Sequence, residues 1–242
     1  MIPAQRLPAG AAAEARAFAA GSHHVAPARP ASTVVLVRDG DAGIEVYVHQ
    51  RHPGMAFAGG MVAFPGGSVD PADLEPTGAV DARIWAQRLG TTETAALGFV
   101  RAALRETEEE TGLRLDAADL VPWAHWITPR FQPRRFDTWF FLARVPAEQQ
   151  PQDVSGEATA VAWVAARTAI DKAATDEWTM LPPTRAIFEE LSAFASVDDL
   201  PTDERAIEAI TPGWLDLGDS VIALLPDDPR YPGDDPGESE RP

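Results

Sequence analysis

The segment from Glu93 to Thr111 is the feature that most restricts how this chain can fold. It joins an apolar run, Ala95 to Leu104, to Arg105-Glu106-Thr107-Glu108-Glu109-Glu110-Thr111, and Gly112 stands where a helix C-terminus is usually closed. One helix is therefore predicted over Glu93 to Thr111. At about 100° per residue, Glu106, Glu109 and Glu110 share an arc of about 100°, whereas Glu108 points the other way. The run before them is apolar nearly all round, so the helix should be largely buried. Three carboxylates on one face repel one another. A half-buried cluster of that kind is tolerable where a divalent cation sits among the oxygens, and hard oxygen donors suit Mg²⁺ or Mn²⁺. A solvated acidic face is the alternative for any glutamate-rich helix.

The string R-E-x-x-E-E-x-G followed by an apolar residue resembles the second half of the Nudix box, G-x5-E-x7-R-E-U-x-E-E-x-G-U, where U is a bulky aliphatic residue. Its fixed positions are matched here except the first U, which is Thr107. The resemblance implies that Glu106, Glu109 and Glu110 hold the metal and that Arg105 orients them through salt bridges. The box glycine is expected 14 positions before the arginine. The suitable glycine, in Phe64-Pro65-Gly66-Gly67, is Gly67, 38 positions before Arg105, which implies an insertion of 24 residues. Counting eight positions back from Arg105, the box's upstream glutamate falls on Leu97, so a supporting ion pair is expected to be missing.

A narrower resemblance lies upstream. Arg51-x8-Gly60-x3-Phe64-Pro65-Gly66-Gly67 is similar to the signature preceding the box in coenzyme A diphosphatases, with Ala56 where a second arginine would stand. Glycines at 66 and 67 let backbone come close to a ligand or to the acidic helix. The resemblance implies substrate contacts from Arg51, Gly66 and Gly67.

With a net charge of −17, a nucleic-acid or anionic-membrane surface is not expected, because both need a basic stripe. An anionic substrate would have to be met by local arginines or by metal. The absence of cysteine excludes disulfides and thiolate chemistry. Without a long apolar run or a signal-like N-terminus, a cytoplasmic protein is expected.

Along the chain, residues 1–31 read as a mobile leader, with a short helix within Ala11 to Ala20 and a His23-His24 pair. Ser32 to Arg38 and Glu45 to Arg51 predict a hairpin of strands. Residues 68–90 are expected as a surface excursion with one helix over Ala82 to Leu89 and solvated acids. Leu120 to Thr128 and Phe136 to Ala143 are expected strands, and Arg134 and Arg135 between them are candidates for holding phosphate. Glu157, ahead of a strand over Ala160 to Val164, stands where Nudix enzymes often keep an extra metal ligand or general base. His125 is a further candidate base. Over 181–212 two helices are expected, Arg185 to Ala195 capped by Thr184 and Asp203 to Ile210 capped by Thr202. The domain is bounded at 32–226, and the acidic tail 227–242 reads as disordered.

These features predict an α+β fold, and the resemblance makes it a Nudix-type α/β/α sandwich with a mixed sheet and additional C-terminal helices. The expected chemistry is metal-dependent hydrolysis of a diphosphate joining a nucleoside to another moiety. The proton acceptor would come from Glu109, Glu110 or Glu157. Coenzyme A or acyl-CoA is the first substrate expectation. ADP-ribose, NADH and nucleotide sugars are alternatives, as is a non-catalytic nucleotide-sensing module. A homodimer is an allowed assembly.

Overall fold

A computed structural model describes residues 4–21, 25–54, 58–76, 80–145, 149–202 and 206–233. Its elements in chain order are β1 (Gln5–Arg6), α1 (Ala9–Ala19), β2 (Ala28–Gly40), β3 (Gly43–Arg51), β4 (Val62–Ala63), β5 (Gly66–Ser68), α2 (Ala82–Leu89), α3 (Glu93–Thr111), β6 (Val121–Ile127), β7 (Arg135–Arg144), β8 (Ala158–Ala165), α4 (Ala166–Ala174), α5 (Pro182–Leu191), β9 (Ala209–Ile210), β10 (Gly213–Asp216) and β11 (Val221–Leu224). The chain forms two compact units, one of Ala31–Ala124 with Trp139–Ile207 and the other of Met1–Pro30, His125–Thr138 and Glu208–Pro242. Both strands and helices are present in a mixed arrangement, so the expected α+β class holds.

In the larger unit the β2–β3 hairpin forms as expected, turning where Gly40 faces Gly43. Strand β3 is its centre, pairing antiparallel with β2, β4 and β8. The β3–β8 register slips at one point. Gln50 faces Ala160 and Arg51 faces Ala158, so Thr159 is an extra residue, and its hydroxyl donates to the Gln50 carbonyl at 3.1 Å. Such a bulge re-aims the side chains beside it. Strand β5 lies against β2, with Gly66 opposite Thr33 and Gly67 opposite Ser32. Gly66 has φ +155°, and a Cβ there would sit 2.3 Å from the Ser32 carbonyl oxygen, so only glycine lets the two strands approach.

Helix α3 has the limits expected of it. Thr92 caps its start by accepting the Ala95 N–H, and Gly112 ends it in the left-handed conformation at φ 71°. Its buried face carries Phe99, Val100 and Ala103 into a cluster with Val34, Leu36, Tyr47, Trp139 and Phe141. The Ser32 hydroxyl, fully buried, donates to the Phe99 carbonyl at 2.7 Å and fastens helix to sheet.

Three expectations are corrected in this unit. The segment 68–90 does contain the helix at Ala82–Leu89, started by Asp81 and closed by Gly90, but it is not a surface excursion. Trp85 and Leu89 enter the core, with the indole edge-on to Phe141 at 5.9 Å. The apolar positions of α2 need a partner, and the sheet supplies one. Second, α5 starts at Pro182 after Leu181, with prolines in its first turn, so Thr184 is a buried first-turn residue rather than the cap. Third, no helix runs to Ile210: residues 206–208 are irregular and Ala209–Ile210 is strand β9, while residues 203–205 lie outside the described ones.

The smaller unit corrects the leader. It holds a three-stranded sheet in the order β1–β11–β10, and α1 buries Ala12 and Ala15 with Phe131, Trp214 and Val221. Arg16 clamps Asp216 through Nε and Nη2 at 2.8 and 2.9 Å. Strand β9 pairs parallel with β6 at His125 and Trp126. The start of the acidic tail is also built in. Tyr231 donates to the Thr211 carbonyl at 2.7 Å, and Arg230 pairs with Asp228. His23-His24 and residues 234–242 lie outside the described residues. Among the described residues no helix is long and apolar enough to cross a membrane.

If α2 belongs to the core, Trp85→Ala should destabilise the protein by about 3–5 kcal/mol, whereas the exposed Ile84→Ala should stay within about 0.5 kcal/mol, both measured by urea unfolding.

Candidate functional site

The site in the larger unit is organised by Arg105, whose five N–H donors are all used. Nε and Nη2 donate to the two oxygens of Asp73 at 3.2 and 2.9 Å, and Nη2 also donates to the Ser68 carbonyl at 3.0 Å. Nη1 donates to Glu106 at 2.9 Å and to Glu109 at 3.0 Å. The Asp73 hydrogen bonds are the foremost reason that the guanidinium holds its proton more tightly than usual. The expected link of Arg105 to Glu106 and Glu109 is thus present.

Asp73 is the residue that the sequence reading missed. It is 3% exposed, sits in a short 3₁₀ turn over Pro71–Leu74 and accepts the Asp70 N–H with the carboxylate that holds Arg105. Counted forward from Gly67 it follows five intervening residues, the spacing that the box sets between its glycine and its acid. The insertion therefore falls after the acid, between Asp73 and Arg105, and the ion pair expected to be lost at Leu97 is made by Asp73. Leu97 is an ordinary buried residue of α3. Counting forward as well as back would have found this acid.

The glycine turn meets the helix as its residues predict. The Gly66 N–H donates to Glu110 Oε2 at 3.0 Å. A Cβ on Gly67 would lie 2.3 Å from Glu106 Oε1, so the carboxylate occupies the space that a side chain would need. Burial, opposed by the Arg105 hydrogen bond, raises the Glu106 pKa. Burial also pushes Glu110 up to about 7, with the Gly66 N–H opposing and the charge of Glu106 adding.

Strand β3 presents Tyr47, His49 and Arg51 at alternate positions. Tyr47 and His49 are almost wholly buried, and burial moves them to pKa values of about 12 and about 4, so the imidazole is neutral at pH 7. His49 Nδ1 lies 3.6 Å from Glu110 Oε2. The Tyr47 hydroxyl, His49 Nε2 and Arg51 Nε are buried with no hydrogen-bond partner among the described residues. Arg51 is near enough to Glu110 to lower its pKa. Glu157 is exposed in the loop ahead of β8, its carbonyl accepting the His52 N–H at 3.0 Å, and its charge also reaches Glu110. Ala56 lies outside the described residues.

Arg134 and Arg135 belong to the smaller unit. Arg135 spends Nε on the Thr128 carbonyl and Nη1 on the Ala26 carbonyl, which makes it a backbone clamp rather than a free anion-binding fork. Arg134 is exposed. His125, in the same unit, is hydrogen-bonded through Nε2 to Asp137, so that ring nitrogen is already engaged.

Among the described residues no three carboxylate or imidazole side chains converge as a ready first coordination sphere. Glu106 and Glu109 are drawn to Arg105 and Glu110 to Gly66. The donor set nonetheless fits a hard divalent cation, because it is all carboxylate oxygen and because buried Glu110, though reached by the field of Arg51, forms no ion pair with Arg or Lys among the described residues. The metal-free protein should show this cost. Glu110 has a folded pKa of about 7 against 4.5 for the free side chain, so its ionised form destabilises the fold above that range and is absent below it. Glu110→Gln should raise the melting temperature in EDTA at pH 8, and the gain should shrink as the pH falls through 7 and vanish only below the free value of 4.5. A melting shift that does not change with pH would contradict this.

Residues 27–186 match the NUDIX domain, about two thirds of the chain. A NUDIX hydrolase from Alicyclobacillus acidocaldarius is 28% identical, with a TM-score of 0.59 over 72% of this chain and 96% of that one. The acyl-coenzyme A diphosphatase NUDT19 of Xenopus laevis is 27% identical over 125 residues, 48% of this chain and 33% of its own length. The alignment thus spans a third of that relative. With the domain match covering acidic helix, glycine turn and sheet together, the chain belongs to the NUDIX family of pyrophosphate hydrolases.

Proposed function

We propose that this protein hydrolyses the diphosphate of coenzyme A or an acyl-CoA, releasing 3′,5′-ADP and (acyl-)4′-phosphopantetheine. The observation that carries the hydrolytic reading is the seating of Glu106 and Glu110 against Gly67 and Gly66, which brings an acidic helix and a glycine turn together beside Arg51. The substrate choice is supported by the Arg51-to-Gly67 pattern and by the similarity to the acyl-coenzyme A diphosphatase.

Glu106, Glu109 and Glu110 are the residues to hold Mg²⁺ or Mn²⁺, which when bound neutralises diphosphate oxygens and acidifies a water. Arg105, with no donor to spare, orients Glu106 and Glu109 and does not itself reach substrate. Arg51, unpaired among the described residues, supplies the fork for a phosphate oxygen. Glu157, exposed in the loop ahead of β8, is the first choice to accept the proton of the attacking water, with Glu109 as the alternative. Gly66 and Gly67 keep side chains out of the space between helix and turn.

Purified protein with Mg²⁺ should convert coenzyme A and an acyl-CoA to 3′,5′-ADP, read by chromatography. Cleavage of ADP-ribose, NADH or a nucleotide sugar with coenzyme A untouched would refute the substrate, and no turnover of any diphosphate would refute the enzyme. Asp73→Asn should lower kcat by about 10- to 100-fold with KM little changed, since it loosens Arg105 rather than substrate. Exposed Glu75→Gln serves as the control and should leave kcat unaltered.

A further inference from the structure

The carboxylate of Glu110 is approached from two sides. The Gly66 N–H donates to Oε2, and the imidazole of His49 presents Nδ1 to that same oxygen at 3.6 Å, slightly beyond hydrogen-bond length. Oε1 has no hydrogen bond among the described residues. His49 is fixed from behind, because Tyr47 meets its ring edge-to-face at 5.3 Å and 79°, and Trp163 in turn holds Tyr47 at 5.5 Å. A core histidine that merely fills space is normally tied by a hydrogen bond through at least one ring nitrogen. Here Nε2 is buried with no partner, and the polar group facing Nδ1 is Glu110.

We propose that His49 is a positioning residue for Glu110: its Nδ1–H, with the Gly66 N–H, pins Oε2 and turns Oε1 toward the divalent cation. The inference rests on the reading of Glu110 as a metal-holding residue. It assigns the imidazole no contact with substrate and no part in moving a proton. The edge-to-face support from Tyr47 and Trp163 supplies the rigidity that such a role needs, since an outer group orients a ligand only if it is itself held.

Asparagine places its amide nitrogen where Nδ1 stands, and glutamine places it where Nε2 stands, so the two variants separate the ring nitrogens. Mn²⁺ affinity, measured by electron paramagnetic resonance on the full chain without substrate, should stay within about threefold in His49→Asn and weaken about 10- to 100-fold in His49→Gln and His49→Leu. The kcat of coenzyme A cleavage should follow the same ladder, with KM changed less than twofold. Melting temperature identifies any variant that fails to fold, and if the leucine variant does, the Asn and Gln pair carries the test. Equal Mn²⁺ affinity in the Asn and Gln variants, whether both retained or both lost, would overturn the proposal, as would wild-type protein that binds no Mn²⁺. Wild-type protein that binds Mn²⁺ but cleaves no diphosphate would overturn the proposed function while leaving the affinity ladder to decide the role of His49.

Discussion

The saturation of Arg105 is the constraint on which the rest of the site depends. A guanidinium has five N–H donors in a rigid plane, and here one edge takes both oxygens of Asp73 while the other end divides between Glu106 and Glu109. That geometry ties a turn before the insertion to a helix after it, across 32 positions of chain. An ammonium group could not do the same, because its three donors radiate from one atom. The Ser68 carbonyl, accepting the remaining donor, adds β5 to the same plane. Strand β5, the 3₁₀ turn and the acidic helix therefore share one fastening.

The protein carries −17 overall, and the one cation embedded among the carboxylates has nothing left to offer an incoming phosphate. Glu110 stays buried without compensation from Arg105, and its neighbour His49 stays neutral for the same reason, the loss of water. Arg51 is a positive group whose field does reach Glu110. Metal and Arg51 together would supply the positive charge that an anionic substrate requires at this surface.

Much of this was legible in the chain. Helix α3 could be bounded because its apolar run and Gly112 carry their meaning locally, although the Thr92 cap went unread, and the three glutamates lie on one face as the helical repeat dictates. The approach of Gly66 and Gly67 to carboxylates was legible for the same reason, since missing side chains mark close contact. Asp73 was not, because its role depends on which side of an insertion the spacing is counted from. The burial of Trp85 was hidden by the acids and prolines around it, and α1 by its low-complexity alanines, whose small side chains pack only once Trp214 and Val221 are present to receive them. Ala209–Ile210 has helix-compatible residues, but pairing with His125 and Trp126 decides its conformation. Arg135 read as an anion fork because one of the carbonyls that occupy it, that of Ala26, comes from distant sequence.

The end of β3, where Arg51 stands, is shaped by its partner strand. Thr159 is a single uncounted residue in β8, and beyond it the partner of β3 is out of step by one. Strand side chains alternate between faces, so the miscount lets the end of β3 twist away from the plain pleat just where Arg51 stands. Shortening β8 by that residue would leave Glu106, Glu109 and Glu110 in place yet realign the last rung of the ladder, and the protein would keep its acidic helix while Arg51 changed direction.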